Sequence, residues 1–409
     1  MKKLSTFLTE QKNAHMEHLE DMIFNDGVEG ARLAINSLRS LRDMLAGRVK
    51  EKVNMTVKWD GSPAIFAGVD PSDGKFFVAK KGVFNANPQL FKSEKDIDRE
   101  LSGDLANKFK IALREFSKLG IKQGMYQGDL MFTKSDLKVS NISGEKYITF
   151  QPNTIMYAIP VGSTFAKTVQ RSQIGVVWHT TYAGRTLRQM KASFGKGIVS
   201  NLKQVRSVWM DDATYRDVSG NATFTEDETT EITSKLSTAG KIFQKISSTA
   251  LSAIKDDNEL KQKIKTYNNT FVRAQEPFPE PKAHVKGLYE YITDWYQKEI
   301  DSKKQEKTKQ VWKDKRDVVL KKVFVNTEEL VSIFELMNVL VQAKQMIIDK
   351  LNKTSSIGTF LRTKKGIRAT NQEGFVAIDT LTGGAVKLVD RMEFSYSNFS
   401  PEVLKGWQK

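Results

Sequence analysis

Met55-Thr56-Val57-Lys58-Trp59-Asp60-Gly61-Ser62-Pro63-Ala64-Ile65-Phe66 is the stretch on which the reading of this chain turns. A short apolar run ends on a lysine, a carboxylate stands two residues on, and a glycine turns the chain into a second apolar run. That pattern predicts strand, turn, strand. A lysine at a strand end with an acid beside it suits a nucleophilic amine that attacks the α-phosphorus of a nucleoside triphosphate. An ammonium is no nucleophile, so this use predicts a Lys58 pKa lowered by burial or cationic neighbours.

Working outward, residues 1–48 have helical periodicity: Leu19, Met22 and Ile23 recur at helical spacing, Gly27 and Gly30 break the run, and Leu33, Ile35, Leu38 and Leu41 follow. From Val53 to about Tyr182 short β-rich runs take over, at Met55–Trp59, Ala64–Val69, Phe76–Lys80, Gly124–Phe132, Tyr147–Gln151, Thr154–Val161 and Ile174–Tyr182. One predicted helix, Ile97 to Leu119, interrupts them. Residues 226–352 are helical again, with a 3.6-residue stripe through Leu330, Ile333, Phe334, Met337, Leu340, Val341, Lys344, Ile347, Ile348 and Leu351. Within it Glu276-Pro277-Phe278-Pro279-Glu280-Pro281 is a stiff connector. Two late runs, Glu373–Asp379 and Ala385–Arg391, flank Thr382-Gly383-Gly384 and predict a closing hairpin.

The expected architecture is therefore α+β with antiparallel sheets: an N-terminal helical segment (1–48), the first part of a β-rich domain (49–225), a long helical insertion (226–352), and the segment that completes the domain (353–409). At 409 residues, with 39% hydrophobic and 27% charged side chains, the composition is that of a soluble globular protein. No apolar run of about 18 residues predicts a membrane span, and the N-terminus lacks the apolar core of a secretory signal. The absence of cysteine excludes disulfides, thiolate catalysis and cysteine-ligated zinc, and agrees with a cytoplasmic protein. A formal net charge of +16 favours a polyanionic partner, with nucleic acid the default. Four scattered histidines, including His15 and His18 at i,i+3 spacing, make a poor zinc site. A P-loop is absent.

Taken in order, the motifs resemble those of the covalent nucleotidyltransferase superfamily, the ATP-dependent DNA and RNA ligases and the mRNA capping enzymes. The resemblance covers about residues 53–182 and 357–392. It implies that Lys58 of Lys58-Trp59-Asp60-Gly61 carries covalent AMP, with Asp60 and Gly61 beside the nucleotide. Lys80 or Lys81 stands where the family has a basic residue for phosphates. Tyr126-Gln127-Gly128-Asp129 resembles the third motif, whose carboxylate contacts ribose or metal, although Asp129 replaces the usual Glu. Val176-Val177-Trp178-His179 resembles the strand whose aromatic ring stacks on the base; Trp178 is the first candidate for that ring and Tyr157 the second. Glu373-Gly374-Phe375-Val376 resembles the fourth motif, implying that Glu373 holds magnesium. Lys387 matches one lysine of the family's Lys-x-Lys, Ala385 standing where the other would be.

Physical chemistry asks for the same set. Adenylyl transfer needs an amine, cations around the α-phosphate and carboxylates for a hard divalent metal. ATP and Mg2+ are the expected cofactors, with GTP left open. Arg362, Lys364, Lys365 and Arg368 precede Glu373 and are the expected nucleic-acid contacts, while residues 301–322 form a second basic run that includes Trp312. Too few residues follow Arg391 for the oligonucleotide-binding barrel of DNA ligases and capping enzymes, which favours an RNA-ligase-like reading. RNA or DNA ends remain the open substrates. The alternatives are an end-capping or adenylylating transferase and a catalytically silent nucleic-acid-binding relative. In its compactness, absence of cysteine and pattern of the first 60 residues the chain also resembles proteins of large tailed phages, which would place it in a host cytoplasm.

Overall fold

The computed structural model describes residues 18–48, 53–194, 197–212, 223–352, 358–379 and 385–408. The first helix, α1 (Met22–Leu45), enters through a 3-10 turn at Leu19–Asp21. It runs on past both glycines: Gly27 takes φ +58 and only kinks it. Strands β1 (Val53–Lys58), β2 (Ala64–Val69) and β3 (Phe76–Ala79) follow. The expected single helix after them is two, α2 (Glu94–Glu100) and α3 (Gly103–Phe116). Gly103 at φ +59 starts the second, and a Ser93–Asp96 capping box starts the first.

Then come β4 (Met125–Thr133), β5 (Lys138–Ile142), β6 (Glu145–Phe150), β7 (Ile155–Pro160), α4 (Thr164–Arg171), β8 (Ile174–Ala183), β9 (Lys191–Phe194) and β10 (Val208–Asp211). The helical stretch contains α5 (Glu226–Lys245), α6 (Ser248–Asp256), α7 (Asn258–Ala274), α8 (Pro281–Asp301), α9 (Glu306–Val325) and α10 (Thr327–Asn352). The chain closes with β11 (Gly358–Thr363), β12 (Gly366–Ala369), β13 (Gly374–Asp379) and β14 (Ala385–Leu388). Pro281 opens α8 directly after the proline-rich connector, where its missing N–H costs nothing. The Thr382-Gly383-Gly384 turn lies outside the described residues.

Three sheets result, ordered β1-β13-β14, β10-β8-β4-β2-β3 with β9 on β8, and β12-β11-β7-β6-β5. All pairings between the described strands are antiparallel except β10 on β8. The mixed α+β class with antiparallel sheets is as expected; the parallel edge strand β10 is an addition.

The helical insertion is not a separate body. Its helices share one apolar core with α1, through Leu38, Ile232, Ile292, Phe334 and Leu340, and with Phe375, Ala377, Val386 and Leu388 of the three-stranded sheet. Helix α10 is long and apolar enough to cross a membrane by length and composition, but its stripe of Leu330, Ile333, Phe334, Met337 and Leu340 forms the centre of that core. A second core lies between the β4–β8 sheet and α3, around Phe109, Phe116 and Trp178. The three-stranded sheet, carrying one face of apolar side chains into the helical core, ends where β1 delivers Lys58. That end is the junction of the helical and β-rich parts.

Candidate active site

Register brings the sequence motifs together. Lys58, the last residue of β1, pairs with Gly374 of β13, so Glu373 stands beside it, and Val376 pairs with Lys387 of β14. The Lys58 ammonium forms an ion pair with the Glu373 carboxylate, with the two side chains 27% and 8% exposed. Gly374 must be glycine here: its φ is +152 and a Cβ would lie 2.3 Å from the Leu388 carbonyl oxygen.

The turn after Lys58 presses against β4. A Cβ on Gly61 would fall 2.5 Å from Cβ of Asp129 and 2.9 Å from Sδ of Met131, so only glycine lets the two segments meet. Asp60 points into the protein. Its Oδ2 accepts from the backbone N–H groups of Thr154 and Ile155, both at 2.7 Å, and its Oδ1 from Asn153 Nδ2 at 2.7 Å. Its own N–H donates to the Tyr157 hydroxyl at 2.8 Å. Asp60 is thus a buried brace that locks the Lys58 turn onto the start of β7.

Asp129 faces Lys58 from β4, and His179 approaches it from β8. The β4–β8 ladder pairs Gln127 with Thr180 and Gly128 with Trp178, leaving His179 as the extra residue of a bulge. A bulge re-aims side chains and reverses alternation beyond it. His179 Nε2 consequently lies 3.9 Å from Asp129 Oδ2, while its Nδ1 is 2.8 Å from the Thr180 hydroxyl.

The electrostatics are one-sided. Burial pushes the Asp129 carboxyl up to about 6, against the pull of Lys58, and pushes Glu373 up to about 7. Burial also raises Asp60, despite its hydrogen bonds. His179 is lowered to about 4, by burial first and Lys58 second, and is neutral at pH 7. Lys387 is lowered by burial and by the Lys58 charge. Lys58 itself departs from expectation. Burial disfavours its charge, but Glu373, Asp129 and Asp60 outweigh burial and hold its pKa above the ordinary value. In this state it is a firm ammonium, because three carboxylates converge on it.

Two assignments from the resemblance need correction. Trp178 is fully buried and shares its strand face with Val176, packing on Phe116 and Tyr126 at ring distances of 5.2 and 6.0 Å. It is a core residue beneath α3, with no face open to a base. Tyr157, the competing candidate, is also buried, stacked on Phe150 at 5.4 Å with its hydroxyl on Asp60. Of the lysine pair, Lys81 lies near enough to act on Asp129, whereas Lys80 follows β3 as the N-cap of a 3-10 turn.

Arg362 is not a free cation. Its guanidinium donates to the carbonyls of Lys405, at 3.1 Å, and Gln408. Lys364, Lys365 and Arg368 are exposed on the β11–β12 hairpin. Trp312 of the other basic run packs against Trp295 and Tyr296 with Lys303 and Lys315 over its ring, as part of a helix surface.

Asn153 and Thr154 escaped the sequence reading, and His18 was weighed there only as a zinc ligand. The first two sit in a Gln-Pro-Asn-Thr turn, whose Asn beside Pro could have marked it as a bracing loop. His18 forms a parallel bridge with Lys387, a contact 369 positions away that no local signal foretells.

Among the described residues no group of three or more His, Asp or Glu side chains is arranged to hold a metal ion. Asp129 and Glu373 supply two carboxylates, and Glu373 Oε2 is buried with the Lys58 ammonium as its counter-charge. Two carboxylates suit magnesium, which retains waters and takes its remaining ligands from phosphates.

No curated protein and no solved structure matches the chain. A family model matches residues 13–403, nearly the whole chain and every part of this site, and on that match the protein belongs to DUF6267, a family of unknown function.

Proposed function

We propose that this protein is an ATP-dependent polynucleotide ligase that works through a covalent lysyl-AMP, with Lys58 as the nucleophile. One observation carries the reading. An ammonium at a strand end meets Asp60, Asp129, Glu373 and Lys387, drawn from four separate segments, in a buried cluster with more carboxylate than cation. Burying ionised carboxylates without enough counter-charge is costly, so such a cluster makes sense as a place that receives a cation together with a polyphosphate.

In the proposed reaction Lys58 first gives up its extra proton and its nitrogen attacks the α-phosphorus of ATP. The N–P bond forms, the bond to the bridging oxygen breaks, pyrophosphate departs, and the nitrogen sheds a second proton. An oxygen of a 5′-phosphate then displaces Lys58 from phosphorus, and the nitrogen is reprotonated. A 3′-hydroxyl finally attacks the 5′-phosphorus, loses its proton and expels AMP. Asp60 holds the turn that aims Lys58; Lys387 and Lys81 offset phosphate charge; neutral His179 lies beside Asp129 to donate or accept a hydrogen bond. Asp129 and Glu373 would hold magnesium, which supplies charge neutralisation at the phosphates and competes with Lys58 for the carboxylates. The GTP-using variant and an end-capping transferase that stops after the second step use the same first reaction.

The test is to incubate pure protein with magnesium and α-32P-labelled ATP, or separately GTP, and to look for acid-labile label on a denaturing gel. Label that disappears in Lys58→Ala supports the reading. No label with either nucleotide, from protein free of bound AMP or GMP, overturns it. A second reading has its own support: Lys58 rests as an ion-paired ammonium, as in a catalytically silent relative that binds nucleic acid through its basic surface. That reading predicts salt-sensitive binding without covalent nucleotide.

A further inference from the structure

The C-terminal segment ends in a feature that the proposed chemistry leaves unused. Trp407 is 67% exposed, one of the largest apolar surfaces on the molecule, yet it does not sit on a loose tail. The Gln408 N–H donates to the Lys405 carbonyl at 3.0 Å, closing a turn with Trp407 inside it. Arg362 reaches from β11 to the carbonyls of both Lys405 and Gln408, and so clamps the turn on either side of the indole. The Leu404 N–H donates to the Arg362 carbonyl at 2.8 Å, and that of Lys364 to the Glu402 carbonyl at 3.1 Å. Gly406 fits so closely that a Cβ would lie 2.0 Å from the Gln151 carbonyl oxygen. The backbone on both sides of the exposed indole is held, so stacking on it has only the side-chain torsions of Trp407 left to order.

The turn joins two surfaces. On one side it is bound to the strand that enters the β11–β12 hairpin, where Lys364, Lys365 and Arg368 are exposed and residues 358–372 contain four basic and no acidic side chains. On the other it rests on the loop that braces the site. The Gly406 N–H donates to the Asn153 carbonyl at 2.8 Å, Lys405 Nζ to the Thr154 hydroxyl at 3.0 Å, and Asn153 in turn holds Asp60. The cationic hairpin, the turn that carries the exposed indole and the loop that holds Asp60 are thus joined by consecutive hydrogen bonds.

We infer that Trp407 is a base-stacking platform which, with Lys364, Lys365 and Arg368, binds a single-stranded polynucleotide and leads its end toward Lys58. Cations track phosphates without regard to sequence, and an indole stacks on any unpaired base. A duplex hides its base faces and gains only the cationic part. This inference rests on the ligase reading for the direction of the strand, but not for binding itself.

The experiment uses the full-length protein and fluorescein-labelled 20-nucleotide RNA and DNA of mixed sequence, as single strands and as blunt duplexes, with polarisation read at several salt concentrations. Trp407→Ala is expected to weaken single-strand binding about ten-fold and duplex binding little, and Trp407→Phe to restore most of the loss. Lys364→Ala with Lys365→Ala is expected to flatten the salt dependence, lowering the slope by about 1.5. Equal binding by wild type and Trp407→Ala, with unchanged melting curves, overturns the inference, as does an equal loss on duplex. RNA against DNA identifies the sugar. Wild-type labelling with ATP is measured on the same preparation. Trp407-dependent binding without labelling sinks the ligase reading and leaves the platform; labelling with Trp407-independent binding does the reverse.

Discussion

Two clusters of charge lie a few residues apart in this fold and are built on opposite principles. In the first, Glu20 is buried in the 3-10 turn before α1, taking Lys344 of α10 at 2.8 and 2.9 Å and Arg391 at 3.4 Å, while Arg391 also reaches Asp21 and Asn269. Burial disfavours the Glu20 charge, but the two cations outweigh it and hold its carboxyl well below the usual range. In the second, Lys58 faces three carboxylates, two of which are pushed up to about 6 and about 7. A balanced, closed cluster fastens segments; an unbalanced one that keeps Lys58 27% exposed has room for something more. The first cluster also serves the second, since Glu20 and Arg391 both act on Lys387, and His18 bridges to it.

The comparison can be broken most directly by removing one lysine from each. Lys58→Ala is expected to abolish nucleotide labelling, a loss of several orders of magnitude, without unfolding the protein, as circular dichroism would check. Label surviving in that variant would remove Lys58 from its role. Lys344→Ala is expected to do the opposite kind of damage, costing about 3–5 kcal/mol in chemical denaturation because Glu20 is left buried and under-paired. A cost under about 1 kcal/mol would mean that the two clusters are not different in kind.

Trp178→Ala against His179→Ala separates the two faces of β8 in the same way. The tryptophan, packed under α3, should cost about 3–5 kcal/mol. His179→Ala should leave the melting curve nearly unchanged and weaken nucleotide labelling. If Trp178→Phe instead lost nucleotide binding at full stability, the core assignment would fall.

The smallest effect concerns pH. Glu373 has a folded-state pKa of about 7 against an ordinary value of 4.5, so the folded protein holds its proton more tightly than the unfolded chain does. Its contribution is intact below about pH 4.5 and is lost as pH rises through about 7. Glu373→Gln should therefore match the wild type at pH 4 and exceed it at pH 8 by on the order of 2 kcal/mol, measured by denaturation without divalent cation. Magnesium with ATP should reverse the order. Equal stability at both pH values would mean that Lys58 already neutralises Glu373 and that the cluster is balanced after all.

Much of this was legible in advance for definite reasons. β2 begins and ends at Ala64 and Val69 as expected, because a glycine-proline turn and a Pro-Ser-Asp-Gly turn bound a purely apolar run. The stripe of α10 was equally plain, since periodicity is a property of neighbours. Trp178 was misread because an aromatic ring in a β-run can face either side of a sheet, and only the packing of α3 selects which. The break between α2 and α3 was missed because Ser102-Gly103 has to be weighed against a continuous apolar face.

The sequence alone determined the order of helical and β-rich stretches, though not β5, β9, β10, β11 or β12, and the chemical kinds of the candidate site: Lys58, Asp60, Asp129, Glu373 and Lys387 were each named from local pattern and motif. Those are matters of short-range periodicity, turn chemistry and residue type. Only the tertiary structure decided that helices 226–352 share a core with α1 and the three-stranded sheet, that a bulge turns His179 toward Asp129, and that Arg362 donates to the carbonyls of Lys405 and Gln408. It also decided the charge state of Lys58. A pKa depends on which groups come within a few ångströms and how much water they lose, and for Lys58 these include Glu373, brought beside it from 315 positions away, and Asp129 of another sheet.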